Sequence, residues 1–233
     1  MTFGLLARGD SSNVQLDSEY GVLNVLAEGT YAGYGSTSGD GTLNTFAAPI
    51  TTQAAPLIFL NPDVAAVNAG RCDMSLVRPV GSAGNWTGFR VRGRNTQYAH
   101  TGKYFAAGMR PTLSAERFGL RLWNAAGGKT FDSGQKMARL IGPAGAWTYK
   151  GSFTTTTGLQ VQGWKTPWLF GNDAYFLVSP FATELVVSNQ QRAAIGLEFS
   201  KDKAEVNLWL TTLPGVWTNN DFWMPALGGR IST

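Results

Sequence analysis

The sequence predicts an all-β protein made of two related antiparallel β-sandwich domains in tandem. Three observations favour this fold class: a Gly-rich and charge-poor composition, short apolar runs between turn signals, and no apolar stripe of helical spacing over ten or more residues. The 233 residues include 29 Gly, and only 15% are charged while 43% are apolar. Gly supplies positive φ in turns, and the apolar fraction is large enough to form a core, which excludes a disordered chain.

The clearest strand pair lies late in the chain. Residues 194–199 and 204–210 alternate apolar with small or polar side chains, and residues 201–203 (Lys-Asp-Lys) separate them as a turn. A period of two places one face of each strand in a core and the other in water. Further strands are predicted at residues 57–60, 75–80, 87–91, 104–107, 147–153, 159–164 and 175–178.

An internal repeat divides the chain. Residues 3–5 (Phe-Gly-Leu) recur as residues 118–120, and at the same shift of 115 Asp17-Ser18 falls on Asp132-Ser133. A polar, Gly-containing turn separates the two anchors in each copy, so each copy predicts a β-hairpin followed by a second strand pair, at residues 20–28 and 136–142. The repeat predicts one domain at residues 1–112 and a second, Trp-rich one at 113–233.

Two further segments bear on the repeat. Residues 58–62 (Ile-Phe-Leu-Asn-Pro) resemble residues 176–180 (Phe-Leu-Val-Ser-Pro) after a slip of three positions. Residues 29–42 are small, polar and rich in Gly, Ser and Thr, and they predict a long loop. That loop is either functional, a linker between strands, or ordered against a neighbouring subunit.

The charge pattern indicates no nucleic-acid partner. The net charge is +4 and the isoelectric point is near 9.3, but Lys and Arg are spread thinly along the chain. The densest group is Arg90, Arg92 and Arg94, whose alternate spacing puts three guanidinium groups on one strand face. This face is a site for phosphate or an acidic glycan, a solvated strand face, or a face that pairs with a partner's carboxylates.

Cysteine usage and hydropathy suggest where the chain folds. Cys72 is the single cysteine, so no intrachain disulfide is possible, which fits a reducing compartment such as the bacterial cytoplasm. The first eight residues lack the pattern of a signal peptide, and no run of eighteen apolar residues occurs. We therefore expect no membrane insertion.

The residues that carry catalysis or bind metals are scarce. His100 is the single histidine, so a zinc site is not expected, and no cofactor motif is present. Cys72 with His100 could form a thiol and base, but a buried thiol is the simpler interpretation. Glu184, Glu198 and Glu205 are the carboxylates considered for glycoside cleavage. The sequence predicts a protein that is not an enzyme.

Seven of the eight tryptophans follow residue 120. Trp123 and Trp209 fall in alternating strand patterns and are predicted to be core residues. Four others lie in turn-rich stretches and are predicted to contact something outside the domain: Trp164, Trp168, Trp217 and Trp223. Such residues form a glycan or pilus surface, form a subunit interface, or close the end of a sandwich.

The repeated hairpin resembles the opening of small tail-associated proteins of long-tailed bacteriophages. Residues 3–5 with 16–18 (Leu-Asp-Ser), and residues 118–120 with 131–133 (Phe-Asp-Ser), carry the resemblance. It implies a virion component at the tail tip, baseplate or fibre, which forms a homo-oligomer, typically a trimer, and binds other tail proteins. It implies no catalytic residues.

These observations favour a structural protein of a phage tail, made in the host cytoplasm, with a contribution to host-receptor attachment through a surface glycan or pilus. The alternative is a carbohydrate-binding module or lectin that uses the loop tryptophans. A third hypothesis is a glycosidase or depolymerase that depends on Glu198.

Overall fold

A computed structural model describes residues 7–8, 15–16, 21–35, 41–64, 71–93, 100–109, 114–143, 146–179, 183–188, 191–200, 202–213 and 226–232. The chain is all-β, as predicted, and the described residues contain no α-helix. No helix in this part of the chain is long and apolar enough to cross a membrane.

Nineteen strands occur in the described ranges. In the first half they are β1 (Ala7–Arg8), β2 (Gln15–Leu16), β3 (Asn24–Gly35), β4 (Thr42–Ile50), β5 (Leu57–Pro62), β6 (Arg71–Met74), β7 (Leu76–Ser82), β8 (Asn85–Gly93) and β9 (His100–Gly108). In the second half they are β10 (Arg121–Trp123), β11 (Lys129–Asp132), β12 (Met137–Pro143), β13 (Thr148–Thr154), β14 (Gln160–Pro167), β15 (Tyr175–Leu177), β16 (Thr183–Ser188), β17 (Gln191–Ser200), β18 (Glu205–Thr212) and β19 (Leu227–Ser232). Every strand predicted from the apolar runs is present, and β17 pairs with β18 as expected.

Six strands form a closed sheet in the order β12–β19–β15–β5–β9–β3, because β3 also pairs with β12. At this seam the Val25 N–H donates to the Lys136 carbonyl at 2.9 Å, and the Ala138 N–H donates to the Leu23 carbonyl at 2.8 Å. Three strands of the closed sheet come from each half of the chain.

Aromatic rings fill the interior of the closed sheet. Phe59 of β5 and Phe105 of β9 stack with their ring centroids 4.4 Å apart, and Tyr175 of β15 meets Phe105 edge-on at 4.9 Å. Gly229 of β19 faces these rings, and a Cβ at this position would lie 2.8 Å from the Phe59 ring. The close approach of backbone and ring explains the glycine.

Two outer sheets pack against the outside of the closed sheet. The first contains β4, β8 and β7 and is continuous with the closed sheet, because β8 pairs parallel with the end of β3; Phe89 of β8 meets Tyr104 of β9 at 4.8 Å. The second contains β13, β14, β18 and β17, with β16 and β6 along the other edge of β17. There Phe199 of β17 meets Phe176 of β15 at 5.6 Å. A continuous apolar core joins the three layers.

The two halves repeat one strand order. The closed sheet contains β3–β9–β5 from the first half and β12–β19–β15 from the second, and the outer sheets contain β4–β8–β7 and β14–β18–β17. Strand β5 pairs antiparallel with β15, its counterpart in the sequence repeat. Phe59 lies opposite Leu177, the residue that the repeat aligns with it. The pairing therefore has the register of a local two-fold axis.

The register on β9 and β19 gives a separate test of this equivalence. The repeat aligns Val25 with Leu140, and these residues pair with Ala107 and Gly229.

From the opposite edge, the first residues of β5 and β15 also pair with Ala107 and Gly229. The strands on both sides of β9 and of β19 thus place Ala107 and Gly229 at equivalent positions, which supports the internal duplication.

The predicted arrangement of two domains in tandem is not confirmed. The closed sheet contains strands from both sides of residue 112, and β6 of the first half pairs with β17 of the second. Hydrogen bonds along β5–β15, β3–β12 and β6–β17 therefore cross the predicted boundary. The sequence patterns could not show these pairings, because each joins residues more than 100 positions apart.

The repeated hairpin forms in the same register in both copies. Ala7 lies opposite Leu16, and the residues 115 positions later, Leu122 and Phe131, also lie opposite each other.

Buried Asp132 anchors the second hairpin. Its carboxylate accepts hydrogen bonds from the Ser114 N–H and hydroxyl, the Gly134 N–H, the Arg121 guanidinium and the Lys129 ammonium, at 2.8–3.2 Å. Burial alone would raise the pKa of Asp132, but these hydrogen bonds outweigh it and hold the pKa well below the usual range. The Asp of the repeated motif is thus a structural anchor.

The prediction of a loop at residues 29–42 is wrong over residues 29–35, which belong to β3, and at Thr42, which begins β4. The glycines of this segment mark strand positions that lie beneath rings. A Cβ at Gly33 would lie 2.5 Å from the ring of His100, and one at Gly29 would lie 3.1 Å from the ring of Tyr104. Composition alone suggests a loop because it does not reveal these rings on the neighbouring strand. Residues 36–40 lie outside the described residues.

Candidate functional site

A polar cavity of about 610 Å³ opens at one end of the closed sheet. We call it the mouth. Its lining residues come from both halves of the chain, and all but Pro62 and Gly102 carry amide, hydroxyl or charged side chains: Thr30, Asn61, Pro62, Asp63, Thr101, Gly102, Lys103, Asn172, Asp173, Tyr175 and Lys203.

Strand register places the mouth directly above the aromatic interior. Asn61 of β5 lies opposite Lys103 of β9, which lies opposite Thr30 of β3. Asn61 and Lys103 are each two residues from the stacked pair Phe59 and Phe105, so they share the inner face of the sheet. The polar cavity therefore lies next to the buried aromatic pair, and Tyr175 is the aromatic residue of its lining.

Lys203 reaches the mouth from the turn between β17 and β18. Its N–H donates to the Ser200 carbonyl at 2.9 Å, and its φ is 54°, in the left-handed region. Its ammonium donates a hydrogen bond to Asn61 Oδ1, and Asn61 Nδ2 donates to the Asn172 carbonyl at 2.9 Å. Burial lowers the pKa of Lys203, and the opposite charge of Asp63 partly offsets this effect.

The charges that line the mouth balance. Lys103 and Lys203 are cationic, while Asp63 and Asp173 are anionic. Asp173 also forms an ion pair with Arg230 of β19, whose guanidinium lies 3.0 Å from the carboxylate and donates to the Phe170 carbonyl. Nowhere in the described ranges do three His, Cys, Asp or Glu side chains gather closely enough to hold a metal ion.

Three buried polar residues lie between the closed sheet and the outer sheets. Tyr31 hydrogen-bonds Cys72, and its hydroxyl lies 3.4 Å from His100 Nδ1. Burial raises the pKa of Cys72 and lowers that of His100 to about 4. The thiol therefore stays protonated and the imidazole neutral at pH 7. The prediction of a buried thiol is confirmed.

Two of the four tryptophans predicted to contact a partner belong to the core. Trp164 of β14 is fully buried, and Trp168 is 9% exposed, with its Nε1 donating to the Gly171 carbonyl at 2.8 Å. Neither ring offers a free surface to a partner, because both pack between the second outer sheet and the closed sheet. This corrects their predicted placement at the surface. Trp217 and Trp223 lie outside the described residues.

The two tryptophans predicted to be core residues are more exposed. Trp123 of β10 is 49% exposed, and Trp209 of β18 is half-buried on the outer face of its sheet. The Trp209 ring lies against Gly163 of β14, where a Cβ would be 2.5 Å away, and the Lys150 ammonium lies 5.3 Å from the ring centroid.

Two of the three arginines predicted to share one face of β8 do share it. Arg90 and Arg92 are half-buried on the outward side, while Val91 between them is fully buried. Arg90 Nη1 donates to the Gly41 carbonyl at 3.0 Å, and Arg92 Nε donates to Ser75 Oγ at 3.1 Å. Both guanidinium groups therefore hydrogen-bond to neighbouring segments, Arg90 to the residue before β4 and Arg92 to the residue between β6 and β7. Arg94 lies outside the described residues.

Two of the three carboxylates considered for glycoside cleavage are described, and neither lines the mouth. Glu198 and Glu205 are half-buried on the outer face of the second outer sheet, and Glu205 forms an ion pair with Lys165 at 2.7 Å. The side chain of Glu184 lies outside the described residues.

Sequence reasoning did not find the mouth. One signal was available: the apolar run of β5 ends at polar Asn61, and polar Lys103 precedes the apolar run at residues 104–107 of β9. Such transitions mark the ends of strands in a filled cylinder, but their convergence depends on a register that the sequence does not display. No family model, curated protein or solved structure matches the chain.

Proposed function

We propose that the protein is a structural component of a bacteriophage tail, at the tip, baseplate or fibre, and that it works by offering surface to its neighbours and to the host. The observation that carries the proposal is the repeated hairpin. The motif that resembles tail-associated proteins pairs in one register in both copies, and in the second it is held by a buried carboxylate.

The finer fold that accompanies this proposal is a pair of related sandwiches. In the first half β3–β9–β5 packs against β4–β8–β7, and in the second β12–β19–β15 packs against β14–β18–β17. The inner sheets join edge to edge to close the ring. A body joined in this way has few ways to bend, which suits a part that transmits load in a particle.

A homo-oligomer, and a trimer by analogy with tail proteins, forms part of the proposal. Near the second hairpin Phe118 is 92% exposed, and Met109, Leu120 and Trp123 are also exposed. Exposed apolar side chains near one another typically mark contact surfaces. They favour an interface between subunits or with another tail protein.

Mass spectrometry and immunogold electron microscopy of purified virions test the tail assignment. We expect the protein in the particle and the label on the tail. A protein that is made during infection but absent from particles contradicts the assignment.

Light scattering after size exclusion tests the oligomer separately. We expect a trimer that Phe118→Ser weakens, while Leu213→Ser, an exposed leucine after β18, leaves it intact. A monomeric wild type contradicts this part of the proposal.

A further inference from the structure

Lys203 adopts a backbone conformation that is unfavourable for a lysine. A residue with a Cβ is disfavoured at φ 54°, and Gly or Asn is the usual choice there. Strain that persists in a folded protein often marks a functional position. Here the strained residue aims its ammonium at the mouth and bonds Asn61.

Hydrogen bonds fix the polar groups of the mouth before any ligand arrives. Lys203 holds the amide of Asn61, and that amide holds the backbone at Asn172. Arg230 pairs with Asp173 at 3.0 Å, but both side chains are exposed, so this pair is held less firmly. Groups fixed in this way lose little conformational entropy when they bind.

The charge balance restricts the ligand. An anion in the mouth would face Asp63 and Asp173, and a cation would face Lys103 and Lys203. A neutral molecule rich in hydroxyls suits both kinds of group, because each hydroxyl donates one hydrogen bond and accepts two. The cavity of about 610 Å³ lies within the range of small-molecule sites.

We propose that the mouth binds a neutral saccharide. Lys103 and Lys203 donate to its hydroxyl oxygens, Asp63 accepts from its hydroxyls, and Tyr175 offers a ring edge and a phenol. The inference goes beyond the proposed function, because saccharide binding by the isolated protein does not require a virion.

An array of bacterial surface oligosaccharides, with neutral glycans and glycans that carry uronic or sialic acid, tests the ligand class. We expect the purified protein to bind neutral members. Binding to none, or to acidic glycans alone, overturns the proposal.

Titration calorimetry with the best glycan from the array locates the site. Lys203→Gly removes the ammonium and relieves the turn, so we expect at least a tenfold loss of affinity with an unfolding temperature no lower than that of the wild type. A purely structural Lys203 predicts unchanged affinity, which overturns the proposal.

The matched control is Lys150→Ala, which removes an ammonium from the outer face of the second outer sheet beside Trp209. We expect it to bind as tightly as the wild type. If Lys150→Ala or Trp209→Ala abolishes binding while Lys203→Gly does not, the site lies on the outer sheet and the mouth is excluded.

Discussion

The outer sheets of the two halves have the same strand order and different widths. In the first, β4–β8–β7 buries Phe46 and Phe89, while in the second, β14–β18–β17 buries Trp164 and Phe199 and is widened by β13, β16 and β6. One arrangement thus accommodates different core side chains, because packing requires matched volume rather than particular residues. The widening strand β6 belongs to the first half of the chain. The wider sheet therefore ties the halves together.

The largest expected effect tests whether the halves unfold together. Phe89→Ala in the first half and Trp164→Ala in the second should each lower the free energy of unfolding by about 3–5 kcal/mol, because each leaves a cavity in a buried layer. Differential scanning calorimetry should show one transition that both variants shift. Two transitions, each sensitive to one variant, would show that the halves are independent.

Asp132→Asn should lower the free energy of unfolding by about 3 kcal/mol at pH 7, since it removes a buried charge that accepts hydrogen bonds from two cations. The folded pKa lies below the unfolded value of about 3.9. The stabilisation is therefore present above that pH and is lost as the pH falls through the folded pKa.

Chemical denaturation at several pH values measures the effect. An equal deficit at pH 3 and pH 7 would contradict a role for the charge. The repeat aligns Asp17 with Asp132, so Asp17→Asn extends the comparison to the first half.

Gly119→Ala should cost about 2 kcal/mol. Its φ of 143° strains any residue with a Cβ, and the added carbon would meet Ser133 Oγ. Gly127→Ala is the control, because its φ of 77° is also positive but nothing lies within 4 Å of its Cβ position. We expect about 1 kcal/mol there.

Urea unfolding of both variants gives the difference. Ser133→Ala is the second reference, because it loses the hydrogen bond from the Leu120 N–H by itself. Adding Gly119→Ala to Ser133→Ala should cost less than adding it to the wild type, and an equal cost would mean that the backbone strain alone sets it.

The smallest expected effect is that of Trp123, which is compared with Trp164. In the Phe118→Ser background, which weakens the proposed interface, Trp123→Ala should change the free energy of unfolding by less than about 1 kcal/mol, because half of the side chain is then in water. Thermal unfolding of this variant and of Trp164→Ala under the same conditions compares the two losses directly. Similar losses in the two variants would mean that Trp123 is buried against a partner in solution.

Local patterns in the sequence predicted the all-β class, most strands and the β17–β18 hairpin, since a period of two reflects one buried face. The same patterns misjudged the tryptophans. Val161 and Trp164 point to opposite faces of β14 and are both fully buried, so alternation does not identify the core side of this strand. The stretch Lys165–Pro167 looks like a turn but completes the strand.

The closed sheet and the mouth could not be predicted from the sequence for a related reason. Lys203 reaches Asn61 across 142 positions of sequence, and Phe176 lies opposite Leu60 across 116. Each contact depends on registers accumulated over several strand pairs. The order of residue types along the chain does not reveal a register that is built up over several strand pairs.

The pairing of β5 with β15 has a consequence for synthesis. When the first 112 residues have left the ribosome, β3 and β5 each have an edge whose partner strand has not yet been translated. Such an edge fits another nascent copy as readily as its own later partner, and this promotes misassembly. Of the described strands β19 emerges last, although it lies between β12 and β15. The closed sheet is therefore completed only after β19 has been translated, and chains that terminate before β19 are prone to pair with one another.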